Sequence, residues 1–72
     1  MIEQLELDNR FTYHAPKEGQ PKKYELIRAT AKAMARILLD NCPPECRETS
    51  LAITHLEEVC FWANAAIARR GV

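Results

Sequence analysis

The chain has 72 residues, about half the commonest domain size, so it holds one domain at most. Ten Lys plus Arg offset ten Asp plus Glu, which excludes a globally basic nucleic-acid coat and an acidic solvating tail. Hydrophobic residues at 47%, charged residues at 28% and only two glycines are the composition of a folded helical protein rather than a disordered one. A domain near this size buries only about 60% of its unfolded surface, and no disulfide framework is visible to help it. Self-association is the expected remedy.

Residues 2–8 form a short helix-capable opening with Ile2 and Leu5 on one side. Asn9 to Lys23 carries Pro16, Gly19 and Pro21 and reads as an ordered or semi-ordered loop. Two helices follow at about 21–41 and 45–70, separated by Asn41-Cys42-Pro43-Pro44. The double proline ends the first helix and suits the first turn of the second. A connection that short between long helices forces an antiparallel hairpin. The expected architecture is therefore all-α: one domain over 1–72, with a short N-terminal helix and loop in 1–20 followed by the hairpin. No apolar run approaches the ~20 residues of a membrane span and no signal peptide opens the chain, so a soluble, intracellular protein without membrane partners is expected.

On a helical wheel, Tyr24, Ile27, Ala31, Met34, Ala35 and Leu38 of the first helix share one stripe. Leu26, Thr30, Ala33 and Ile37 lie beside it and widen the apolar arc to roughly 200°, where a single partner helix needs only about 100°. The second helix gives Ala52, Ile53, Leu56, Val59, Cys60, Ala63, Ala66 and Ile67 as its core face. Phe61 lies well outside that arc, while Leu51, Trp62 and Arg69 share a direction at its edge. Both helices carry more apolar surface than a hairpin can hide. The excess points to a helical homo-oligomer.

Little suggests catalysis. The two histidines, His14 and His55, accompany no Ser-His-Asp set, HExxH motif or glycine-rich phosphate loop, and each reads better as a packing or surface residue. Cys42 and Cys46 could in principle hold a metal with His55 or Cys60, but zinc sites normally show tight paired spacings. Reduced thiols, with Cys60 as a small core residue, are the simpler reading. No metal and no cofactor are expected.

Anion binding is the stronger signal. Lys17, Lys22 and Lys23 precede the first helix, and Arg28, Lys32 and Arg36 stack along one of its faces. Arg69 and Arg70 end the second helix, where they also favour the helix dipole without any ligand. A charge row is usually a solvated helix face. Here an upstream Phe11-Thr12-Tyr13-His14 adds aromatic faces, and aromatic stacking with Arg or Lys on phosphate is how proteins grip nucleotides.

Two stretches carry a resemblance. Arg10-Phe11-Thr12-Tyr13-His14-Ala15-Pro16 with Tyr24-Glu25-Leu26-Ile27-Arg28 resembles the opening of a family of small bacteriophage anti-defence proteins. Ser50–Glu58 and Trp62-Ala63-Asn64-Ala65-Ala66-Ile67-Ala68-Arg69 resemble the same family's closing helix. These are the anti-CBASS sponges, which sequester cyclic oligonucleotide messengers of bacterial immunity; their helical hairpin is similar to one in Thoeris anti-defence sponges. The resemblance runs from about Asn9 to Arg70 and implies a non-catalytic homohexamer acting in the host bacterial cytoplasm. It also implies two kinds of pocket. One takes cyclic dinucleotides such as cGAMP, with Tyr13 stacking on a base and Arg28 holding phosphate, where the family carries a lysine in place of Arg28. The other takes cyclic trinucleotides near a threefold axis through Thr30 and Arg69. Two residues apart, Arg28 and Thr30 point about 160° apart and cannot serve one pocket from one side. The alternatives of a different class are a hairpin that binds structured RNA through Arg28, Lys32 and Arg36, and an adaptor that engages a protein through Phe61 and Trp62. DNA is not an expected partner.

Overall fold

The computed structural model describes residues 1–71 and contains three helices: α1 (Gln4–Phe11), α2 (Gln20–Asn41) and α3 (Arg47–Arg70). The all-α hairpin expected from the wheel is present, and no strand occurs among the described residues. α2 and α3 run antiparallel: the side chain of Gln20, at the start of α2, donates to the carbonyl of Ile67 in the last turn of α3 (3.1 Å). The facing stripe is the expected one in outline. Tyr24, Ile27, Ala31, Ala35 and Leu38 are half-buried against Ala52, Ile53, Leu56, Cys60, Ala63 and Ile67. Met34, Val59 and Ala66 belong to that stripe by phase but stay exposed, Met34 and Val59 along the open groove between α2 and α3.

That slab is thin. Its extents are 45 × 32 × 13 Å, and 13 Å is about the width of one helix with its side chains. Among the described residues no hydrophobic residue is fully buried; the only ones that are, Gln20 and Thr49, are polar and sit at opposite ends of the hairpin. At one end, Gln20 accepts from the Lys17 amide through Oε1 (2.9 Å) while Nε2 donates to Ile67, so a single amide joins loop, α2 and α3. Gly71 closes α3 beside it. A Cβ there would collide with the Ile67 carbonyl, so glycine is required by space rather than by its φ of −73°.

The other end is the turn. The expected placement of Pro44 in the first turn of α3, with the helix starting near Glu45, is not what forms. Glu45 takes a left-handed φ of 56° to reverse the chain after Pro43-Pro44, and Cys46 caps a helix that begins at Arg47. The Cys46 sulfur accepts from the Thr49 amide, and the Thr49 hydroxyl donates to the Pro43 carbonyl (2.6 Å), which closes the first turn and buries Thr49. Two further boundaries shift. α1 continues to Phe11, through residues expected in the loop, because Gln4–Asp8 and Glu6–Arg10 pairs at i, i+4 support it. α2 starts at Gln20 because Gly19, at φ 84°, turns the chain and Pro21 fits the first turn.

α1 buries none of its residues and is held by charge. Glu6 pairs with Arg10 (3.2 Å) on its own helix and with Arg70 (2.5 Å) at the end of α3. The Arg70 bond, followed by the Arg10 bond, lowers the Glu6 pKa below the ordinary carboxylate value. A carboxylate with a lowered folded-state pKa contributes above its unfolded pKa, and that contribution is lost as pH falls through the folded value. Backbone hydrogen exchange in Gln4–Phe11 is therefore expected to accelerate, relative to the hairpin, as pH drops below the normal Glu range, and Glu6→Gln is expected to remove that dependence. An α1 equally protected at both pH values would contradict this.

Candidate functional site

The loop between α1 and α2 lies against the open end of the hairpin, where α2 starts and α3 ends, and forms one side of a recess of about 480 Å³. Arg10, Thr12 and His14 line it from the α1 side, Tyr24 and Arg28 from α2, and Asn64, Ala65, Ala68 and Arg69 from α3. Local sequence explains the convergence. Tyr24 and Arg28 are four apart and so stack on one face of α2, while the two alanines leave the α3 floor without bulk. The His14 ring donates through Nε2–H to the Asn9 carbonyl (2.7 Å), which ties the loop back to the last turn of α1.

The electrostatics are one-sided. Three arginines line the recess and no Asp or Glu does, in a chain whose formal net charge is zero. Arg10 shares Glu6 with Arg70 and is partly neutralised. Arg28 and Arg69 pair with no carboxylate among the described residues. Arg69 is half-buried, with a long bond from Nη2 to the Arg10 carbonyl (3.5 Å). Two uncommitted guanidiniums at a concave surface can take two anionic groups in fixed, bidentate geometry. The volume also lies within the 300–1,000 Å³ or so typical of small-molecule sites.

The residues singled out from sequence are distributed as follows. Arg28 and Arg69 come together in this recess. Tyr13 does not line it; its ring is 84% exposed between Thr12 and His14, which do. Thr30 lies elsewhere, as the only hydroxyl in an apolar groove of about 350 Å³ between α2 and α3, with Leu26, Met34, Leu56 and Val59. Within one chain, then, Thr30 and Arg69 do not share a pocket. Arg69 also borders a second recess with Glu58, Phe61, Trp62 and Ala65, so it lies between the arginine-lined recess and an aromatic patch.

Of the basic row on α2, Arg28 lines the recess, and Lys32 lines a separate groove beside Glu57. His55 lies 3.4 Å from Glu58 in the open. Cys42 and Cys46 share a recess at the turn, where the Thr49 hydroxyl and then its amide lower the Cys46 pKa; Cys60 lines the α2–α3 groove instead. Among the described residues no group of three or more His, Cys, Asp or Glu is placed to hold a metal. No helix there is long and apolar enough to cross a membrane. Sequence reasoning passed over Tyr24 and Asn64 as site residues. Asn64 had a readable signal: it is the one amide in the run Ala63–Ala66, otherwise all alanine.

No curated protein and no solved structure matches the chain. A family match does exist, to the Acb2/Tad1 hairpin domain, and it covers residues 3–68, which takes in α1, the loop, the hairpin turn and all of α3 but Arg69 and Arg70. With the three-helix hairpin and the arginine-lined recess at its open end, the chain belongs to the Acb2/Tad1 hairpin domain family.

Proposed function

We propose that this protein is a non-catalytic sponge that binds cyclic di- and trinucleotide messengers and so blocks CBASS anti-phage signalling in the bacterial cytoplasm. The observation that carries the reading is the recess holding Arg28 and Arg69 with no acidic lining residue. There the Arg28 guanidinium holds a phosphate of the cyclic dinucleotide. Tyr13, exposed beside the recess, offers a flat face for a base. Sequestration needs no catalyst, because abundance and affinity remove a messenger by mass action. The family match supports the sponge role over the RNA-binding alternative.

A homo-oligomer, most simply the hexamer implied by the family resemblance, is part of the same proposal. A compact monomer of 8.2 kDa exposes about 4,500 Å². This chain exposes 6149 Å², with Leu26, Ile37, Phe61 and Trp62 all more than half exposed. The surplus of about 1,600 Å² is of the order that stable subunit interfaces remove from each partner or two. A neighbouring copy also provides the means to bring Thr30 and Arg69 of different chains to one trinucleotide pocket at a symmetry axis.

Three expectations follow from this reading. Light scattering at micromolar concentration is expected to give a discrete oligomer, and a monodisperse 8.2 kDa monomer would sink both the assembly and the pocket that depends on it. By calorimetry, Tyr13→Ala is expected to weaken cyclic dinucleotide binding by about 1–3 kcal/mol, the range for one base stack, and Arg28→Ala by at least as much. Unchanged binding in both variants, with the fold intact, rejects those roles. Arg69→Ala is expected to remove cyclic trinucleotide binding while dinucleotide binding stays close to wild type; loss of both ligands with the oligomer intact would mean that a single recess serves both.

A further inference from the structure

Phe61 and Trp62 take no part in the arginine-lined recess, yet both rings are open, 61% and 69% exposed. With Glu58, Ala65 and Arg69 they line a separate recess of about 380 Å³, within the range of about 300–1,000 Å³ usual for small-molecule sites. On the helical wheel Ala65 falls between them, about 40° from Phe61 and about 60° from Trp62, one turn further along. The result is a slot with two aromatic walls and an alanine floor. Every lining residue belongs to α3, and by phase the slot lies on the side of that helix away from α2. The groove of Leu26, Met34 and Val59 lies on the α2 side, which gives association of copies an apolar surface other than this one.

The two ends of the slot differ in charge. Glu58 stands at one end and Arg69 at the other, about 16 Å apart along the axis, beyond the screening length of about 8 Å at physiological salt. Glu58 has His55 3.4 Å away, whereas Arg69 pairs with no carboxylate among the described residues. The long bond from Arg69 to the Arg10 carbonyl leaves most of its N–H donors unused. Helical side chains lean toward the N-terminus, so Arg69 leans over Ala65 toward the two rings. We infer that the Phe61–Trp62 slot seats a nucleobase of the cyclic trinucleotide whose phosphate Arg69 holds. The inference rests on the sponge reading above and names the base-binding surface of its trinucleotide site. An aromatic face beside a guanidinium grips a nucleotide by stacking and charge, and any base suits it because every base has a π-face. Tyr13, on the loop, serves the dinucleotide, so the two ligands stack on different aromatics. In a trimer each copy presents the same slot, which provides three slots for three bases.

Trp62 is the only tryptophan of the chain, so its fluorescence reports on this slot alone. The full chain is titrated with cyclic tri-AMP and, separately, with cyclic di-AMP, by calorimetry and by fluorescence with acrylamide as quencher. Acrylamide is expected to reach Trp62 in the free protein, saturating cyclic tri-AMP to shield it, and cyclic di-AMP to leave it accessible. Trp62→Ala is expected to weaken cyclic tri-AMP about 10-fold, the loss of one stack, and Trp62→Phe less than about 3-fold. Both variants are expected to keep the wild-type oligomer by light scattering and to change cyclic di-AMP less than about 3-fold. Bound cyclic tri-AMP that does not shield Trp62 overturns the inference, and this measurement needs no variant to fold. Equal weakening of both ligands overturns it by marking Trp62 as structural. A Trp62 already shielded in the free protein, or an oligomer lost in Trp62→Ala, overturns it by making the patch an interface between copies. Binding of cyclic di-AMP without cyclic tri-AMP also overturns it, and in all these cases the sponge reading stands. If the chain binds neither of these nor cGAMP, the sponge reading itself fails, and the slot with it.

Discussion

A single layer of helices has no inside. Two antiparallel helices in a slab 13 Å thick half-bury the stripe between them, and many large apolar residues outside it are exposed, Leu26, Ile37, Phe61 and Trp62 among them. The rest of the molecule follows from this limit. Hydrophobic burial, which dominates folding in most domains, is here limited to half-buried residues, several of them alanines, along one seam. Alanine lets the helices approach closely but brings little area.

What holds the seam in register is polar and terminal. Gln20 pins the open end by two hydrogen bonds from one amide, and Thr49 pins the turn through Pro43 and Cys46. Both are buried where no leucine is, so each amide or hydroxyl works in a locally dry setting where hydrogen bonds are stronger. α1 is fastened differently, by the Glu6 carboxylate shared between two arginines at the surface. That sharing has an electrostatic effect on the recess: it occupies Arg10 and Arg70 and leaves Arg28 and Arg69 uncommitted.

Much of the fold was legible because periodicity is a global signal. The 3.6-residue stripe from Tyr24 to Leu38 and the Pro43-Pro44 break needed no tertiary information. Boundaries were less legible, because they depend on single dihedrals. Glu45 adopting a left-handed conformation, and a cysteine serving as cap where Ser, Thr, Asp or Asn is usual, moved the start of α3 by two residues. The site was partly legible. Arg28 and Arg69 stand out as charges, but their proximity arises only when the closed hairpin returns α3 beside the start of α2. Tyr24 was read as core because its phase is that of the core stripe, yet near a helix end the same phase borders the recess. Asn64 escaped because an amide among alanines looks inert until its oxygen is seen to lack a donor.

The hairpin turn bears on how the protein comes into being. Only Cys42 to Cys46 separate α2 from α3, and the cost of closing a loop grows with its length. With so short a connection, the seam zips from the turn outward through neighbours that are progressively further apart in sequence, the low contact order of fast-folding helical proteins. Hairpin formation is thus a first-order event for each chain, independent of how many copies exist. Association of copies is a second-order event that rises with their number. Under the proposed assembly, a chain acquires its shape at once and its partners only as its concentration climbs, so a pocket that needs two chains switches on with a delay set by synthesis rate, while the recess within one chain is present from the first molecule made.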